Sequence, residues 1–225
     1  MIEWLDSLDT WLFLSLNSLH SPFWDGFMSL FSGKWIWIPL YATILLVMAK
    51  NLRWQQTLIA VAAVAMTIAL SDQICASVIR PIVERPRPAN LANPIAQFTH
   101  IVDGYRGGLY GFPSCHAANS FALALFVALF FRNRLMTATF FTWAFVNSYS
   151  RIYLGVHYPG DLFVGAAVGM SAACLMARLA RRYSGRFACN HPIPAPSDLK
   201  MTTSPLYAFA GTIMAIILLA ALSHA

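Results

Sequence analysis

Apolar residues in this chain come in long unbroken blocks, separated by short turns rich in arginine. The blocks at 35–48, 57–79, 117–131, 136–149, 162–177 and 206–222 read as helical spans, close to the ~20 residues that cross a hydrocarbon layer. Several are short, so residues flanking them must complete the crossing. Ahead of them, Ile2, Leu5, Leu8, Leu12, Leu16 and Leu19 recur at helical spacing, with Glu3, Asp6, Asp9 and Asn17 between. That pattern over 1–20 predicts an amphipathic helix, and Trp4 and Trp11 suit it to lie flat at a membrane surface. Ser21-Pro22 opens a second short helix, with proline in its first turn; it carries Phe23, Trp24, Phe27 and Phe31 and ends at Gly33. Residues 80–115 read as a long loop and 178–204 as a polar, cytoplasmic linker. The expected fold is all-α, a polytopic membrane bundle of six transmembrane helices with N-terminal amphipathic interfacial helices. It forms one domain over 1–225: interfacial helices at 1–32, a five-helix core at 33–177, the linker at 178–204 and a last span at 205–225.

Composition supports this. The chain has 225 residues, 58% hydrophobic and only 11% charged, where a soluble domain carries roughly a quarter charged residues. The net charge of +6 does not imply nucleic acid, because the basic residues are scattered between apolar blocks. Lys50 and Arg53, Arg132 and Arg134, and Arg178, Arg181, Arg182 and Arg186 fall on one side of the predicted bundle, which the positive-inside rule makes cytoplasmic. The N-terminus, the 80–115 loop and the 150–161 stretch then face outward. Arginines on that side need another role, and anion binding is the natural one. The four cysteines show no disulfide framework. Cys189 and His191 alone do not make a metal site. The acidic N-terminus, without a basic first segment, does not read as a cleavable signal peptide.

Three pieces of sequence carry chemistry on the outer side. The first runs from Arg80 to Pro88, Arg-Pro-Ile-Val-Glu-Arg-Pro-Arg-Pro. The second is Pro113-Ser114-Cys115-His116, at the mouth of the third span. The third runs from Ser150 to Asp161 and holds Arg151, His157 and Asp161. His157 and Asp161 are four residues apart and would share one face of a helix; a carboxylate there holds one ring nitrogen and leaves the other free to attack. Arginine forks neutralise phosphate oxygens and spread the charge that builds during phosphoryl transfer. Ser114 can donate one more hydrogen bond, and His116 opens a helix whose N–H groups favour an anion. One histidine can attack phosphorus while the other protonates the leaving oxygen. The outer carboxylates Glu84, Asp103 and Asp161 are too separated for a two-metal site, so a metal-independent reaction without cofactor is expected.

These pieces resemble the signature of the type 2 phosphatidic acid phosphatase superfamily, membrane lipid phosphatases related to vanadium haloperoxidases. Its pattern is Lys-x6-Arg-Pro, then Pro-Ser-Gly-His, then Ser-Arg-x5-His-x3-Asp. The third motif matches at Ser150, Arg151, His157 and Asp161. The second matches with Cys115 in place of glycine. The first matches with Arg80 in place of lysine and Arg87-Pro88 at its end; the register through Arg85-Pro86 would put Val78 at the basic position. The resemblance covers roughly residues 20–180. It implies His157 as nucleophile through a phosphohistidine, Asp161 as its orienting carboxylate, and His116 as the acid that protonates the leaving group and then activates water. It implies a phosphate held by Arg80, Arg87, Ser114, Arg151 and the backbone at Cys115. Its candidate substrates are undecaprenyl diphosphate, the phosphates of lipid A, phosphatidate and phosphatidylglycerol phosphate. An outward-facing site in a bacterial inner membrane favours the first two.

Two other readings use the same residues. A lipid phosphotransferase would hand the phosphohistidine to an acceptor hydroxyl. A non-catalytic carrier would need the arginines but not both histidines and Asp161. Around the motifs, Arg85 and Arg106 are expected to contact a headgroup or solvent, Glu84 to form an ion pair, and Asp72, inside the second span, to have a structural partner, since a carboxylate there costs roughly 2.5–3.5 kcal/mol. The glycines at 104, 107, 108 and 111, with Tyr105, Tyr110 and Phe112, suggest a flexible lid.

Overall fold

The computed structural model describes residues 2–187 and 193–222; Cys189 and His191 lie outside them. Among the described residues the chain is helical without a strand, apart from one bridge pairing Pro86 with Tyr110. The order is α1 (Ile2–Asn17), α2 (Pro22–Phe31), α3 (Ile38–Asn51), α4 (Trp54–Gln73), a π-helical stretch (Ile74–Ile79), α5 (Arg80–Val83), α6 (Cys115–Phe131), α7 (Arg134–Tyr153), α8 (Pro159–Phe187) and α9 (Ser204–Leu222).

The helix ends follow local chemistry. Ser21 is extended ahead of Pro22, which fixes the first turn of α2. Gln56 reaches back to the Arg53 N–H at the start of α4. Ser114 and Asn133 cap α6 and α7 by accepting from the N–H groups of Ala117 and Met136. Arg132 ends α6 in the left-handed region, φ 54°.

Helix α6 is the centre of the bundle, packed against α4, α7 and α8, and α9 lies against α2, α3 and α7. Helices α6 and α8 meet backbone to backbone. A Cβ on Gly165 would lie 2.4 Å from Ser114 O, and one on Gly169 would lie 2.0 Å from Ala118 O. Glycines four apart remove side chains along one face, which is what close helix approach requires. On the far side, Trp37 is buried against Phe31, Trp143 and Phe209, with ring centroids 4.6, 6.1 and 5.7 Å away, and its indole donates to Phe31 O at 2.8 Å.

Among the described residues, three helices are long and apolar enough to cross a membrane: Trp54–Val83, Pro159–Gly185 and Ser204–Leu222. A fourth arises if α2 and Trp35–Asn51, bent by 68° at their break, are one span. Helix α6 is apolar but has 17 residues. Helix α7 has 20 residues and buries Thr139, Asn147, Ser148, Ser150 and Arg151; a helix enclosed by others can carry polar residues on its inner faces. The expected boundaries also move. Arg80 was expected in a loop, but the π-helical stretch carries α4 through it, so Trp54–Val83 runs 30 residues. The start of the expected linker, 178–187, is helical as the end of α8. There Arg181 donates to Phe130 O at 2.6 Å, at the C-terminal end of α6.

Candidate active site

Helix α7 ends at Tyr153 and α8 begins at Pro159, so His157 lies in the connection and not on a common helix face with Asp161. Gly155 makes the turn, at φ +74°, with His100 O 2.6 Å from where a Cβ would sit. Asp161 is in the first turn of α8, where its Oδ2 accepts from Tyr158 N–H at 3.0 Å, half of a capping box. The same oxygen lies 3.2 Å from His157 Nδ1. The contact expected from spacing alone is therefore present, built by a helix cap instead of a helix face. Both side chains are almost fully buried, and Ser114 N–H donates to Asp161 O at 3.0 Å.

Arg87 Nη1 lies 2.9 Å from His157 Nε2 and also donates to Val156 O at 3.0 Å. A guanidinium has donors only. Nε2 must therefore present its lone pair, and the ring proton must sit on Nδ1, donating to Asp161. Burial, then Arg87, Arg151 and Arg80, hold the His157 pKa well below its ordinary value, so the ring is neutral near pH 7. Arg87 itself is drawn down to about 10 by burial and by Arg80 and Arg151.

Arg80, Arg87 and Arg151 each have a buried Nε without a hydrogen-bond partner. Buried donors are nearly always satisfied; three orphaned together on arginines that repel one another mark a cup built for an anion. Arg151 donates to Ser32 Oγ, at the end of α2. Tyr105, half exposed, has its ring centroid 5.8 Å from the Arg151 guanidinium, the placement expected of a lid residue. Gly107 and Gly111 let the loop close on Arg87, whose side chain lies 3.0–3.1 Å from where their Cβ atoms would be. Ser114 is fully buried, and its Oγ accepts from Ala117 N–H at 3.4 Å, leaving its proton free to donate. His116 follows in the first turn of α6. It senses the charges of Arg151, Arg87 and Lys34 and the ring of His157, and it shares a cavity wall with Ser32.

Arg80 and Cys115, the two positions that depart from the motif pattern, touch each other. Arg80 Nη2 donates to Cys115 Sγ and to Pro113 O, both at 3.0 Å. Cys115 thus steadies a guanidinium that a lysine would not match. Arg80→Lys and Cys115→Gly are each expected to lower kcat/KM, and the double variant to lose less than their sum, with a coupling of about 0.5–3 kcal/mol. A full double-mutant cycle measures it, and strict additivity would refute the pairing.

Several residues act differently from expectation. Arg85 does not face a headgroup: it donates to Asp161 Oδ1 at 3.1 Å, Asp9 at 2.6 Å and Asp6 at 2.8 Å, and stacks 3.7 Å from the Tyr158 ring centroid. It braces the carboxylate that holds His157. Helix α1 is part of that brace, since Asp9 also accepts from Gly160 N–H at 2.7 Å and Asn17 donates to the carbonyls of His100, Ile152 and Tyr153. The acidic residues of 1–20 were a signal for this, but their partner lies far along the chain. Arg106 ties the loop by donating to Ala89 O at 2.6 Å. Glu84 is exposed at φ 48° and forms no ion pair among the described residues. Asp72 has the expected structural partner, Asn119 Nδ2 at 3.1 Å.

Similarity to known proteins identifies the family. The family model described as PAP2 superfamily matches residues 56–184. The chain is 48% identical over 219 residues to a lipid A 4'-phosphatase of Bacteroides thetaiotaomicron, covering 97% of both. It is 37% identical over 169 residues to a lipid A 4'-phosphatase of Porphyromonas gingivalis, covering 75% of this chain and 71% of that one. The crystal structure of Aquifex aeolicus LpxE superposes with a TM-score of 0.57 at 25% identity, covering 76% of this chain and 95% of that one. The matched segment contains Arg80, Arg87, Ser114, Cys115, His116, Arg151, His157 and Asp161, and the chain belongs to the PAP2 superfamily.

Proposed function

We propose that this protein is a metal-independent membrane lipid phosphatase that removes a phosphate from a lipid A-type substrate through a phosphohistidine at His157. The observation that carries the reading is the state of His157: neutral, with Nδ1–H on Asp161 and the Nε2 lone pair facing the arginine cup. Nε2 attacks phosphorus, the P–O bond to the lipid breaks, and His116, entering as the imidazolium once the phosphate's negative charge offsets the arginines around it, gives its proton to the leaving oxygen. Water, deprotonated by His116, then cleaves the N–P bond and frees inorganic phosphate. Arg80, Arg87 and Arg151, with Ser114 and the backbone at Cys115, take the charge on the phosphoryl oxygens. Two relatives named lipid A 4'-phosphatase support that lipid over undecaprenyl diphosphate.

In the six-span reading the crossing elements are α3, α4–α5, α6, α7, α8 and α9, with α1 and α2 interfacial. Basic residues at the end of the bundle away from the site support a site on the outer face of a bacterial inner membrane. Exposed Trp4 and Trp11 on α1 support its lying at the membrane surface.

Purified protein in detergent with a chelator is expected to release phosphate from lipid A. His157→Ala is expected to release none. Lipid binding without release by the wild type would support a carrier, and phosphate appearing on an added acceptor lipid would support a transferase.

A further inference from the structure

Beneath His116 lies a cavity of about 460 Å³ between α3, α4, α6 and α7, a size usual for ligand sites. Its walls are mainly apolar, including Tyr41, Ile44, Val64, Ile68 and Leu123, and Ser32, the partner of Arg151, is at its rim. A cavity opening from a phosphate site and walled by hydrocarbon suits a lipid tail. Polar side chains also line it. On α7, Asn147 and Trp143 follow Arg151 down the helix at four-residue steps, ~6 and ~12 Å along the axis. On α6, Ser120 is four residues after His116, another ~6 Å.

The polar groups are arranged for a ligand. Asn147 Nδ2 donates to Ser120 Oγ at 2.6 Å, which leaves Asn147 Oδ1 to accept and the Ser120 hydroxyl to donate. The Trp143 indole N–H can only donate. It is buried without an acceptor, on a side chain 3% exposed. The neighbouring Asn119 is already engaged by Ser71 and Asp72. Trp143, Asn147 and Ser120, with this capacity left, are one to two turns below the arginine layer, where atoms close to the substrate's phosphate would lie.

We propose that this cavity holds an acyl chain of the substrate and that Trp143, Asn147 and Ser120 hydrogen-bond to the carbonyl or hydroxyl groups of its acyl linkage. This rests on the lipid phosphatase reading and narrows it. The preferred substrates are phosphorylated lipids acylated close to the phosphate. A polyprenyl diphosphate brings pure hydrocarbon to the same depth and leaves these groups unpaired.

The test sets lipid A against undecaprenyl diphosphate in one competition assay in the same detergent. It compares wild type, Trp143→Phe, which keeps an aromatic ring and removes the donor, and Asn147→Leu, which conserves side-chain shape, in preparations with matched Tm. Wild type is expected to prefer lipid A. Each variant is expected to narrow that preference by about tenfold or more. A preference unchanged in both variants, or a wild type that favours the prenyl lipid, overturns the assignment and leaves the phosphatase reading standing. A wild type that hydrolyses neither lipid overturns both.

Discussion

His157→Ala is expected to abolish phosphate release from every substrate, a loss of at least ~10⁴-fold, as for the loss of an enzyme's own nucleophile. His116→Ala is expected to behave differently. A general acid is worth ~10²–10⁴, and its value depends on how poor the leaving group is. The lipid alkoxide needs the proton; p-nitrophenolate does not. His116→Ala should therefore lose most activity on lipid A yet keep much of its phosphoryl transfer from p-nitrophenyl phosphate. Because His116 also activates the water in the proposed mechanism, the N–P intermediate should accumulate, and acid-labile, base-stable labelling of the protein by ³²P would detect it. Equal losses on both substrates, or labelling in His157→Ala, would contradict the assignment. The low pKa of His157 adds a sign. Its protonated form is suppressed in the folded protein, so an acid limb in kcat/KM near pH 6.5 should not come from this ring.

Gly169→Leu is expected to remove folded protein altogether. Even a bare Cβ at this position meets Ala118 O at 2.0 Å, and a backbone oxygen inside α6 cannot swing aside as a side-chain tip does. Overpacking that side chains can absorb costs about 1–3 kcal/mol. A clash between two helix backbones should exceed about 4 kcal/mol, a large part of ordinary domain stability. The natural control is Gly185→Leu on the same helix, where a Cβ meets nothing within 4 Å. Size-exclusion profiles and Tm in detergent compare the two, and a monodisperse Gly169→Leu with wild-type Tm would refute the close α6–α8 contact.

The chemistry-bearing residues were legible because they are charged or polar in a chain that has few such residues, and they recur at motif spacing. All of Arg80, Arg87, Ser114, Cys115, His116, Arg151, His157 and Asp161 converge around one cup. What could not be read was how they are held. Arg85 looked like one more loop arginine because Asp6 and Asp9 precede it by 79 and 76 residues, and nothing local marks that pairing. Ser32 looked like the end of an interfacial helix until α2 was placed beside α7. The basic run after 177 looked like a linker because charge suggests solvent; in the fold its arginines extend a helix, and Arg181 reaches a free carbonyl of α6. Gly165 and Gly169 were invisible as contacts because small residues in an apolar block give no pattern of their own.

In the proposed mechanism the Arg87–His157 contact makes the resting nucleophile self-masked. The lone pair that must reach phosphorus is occupied by a guanidinium, and only an oxyanion competes for that guanidinium strongly enough to draw it off. Ligand charge therefore serves as the key that bares the imidazole: neutral electrophiles meet a blocked ring, while a phosphate ester unblocks it by arriving.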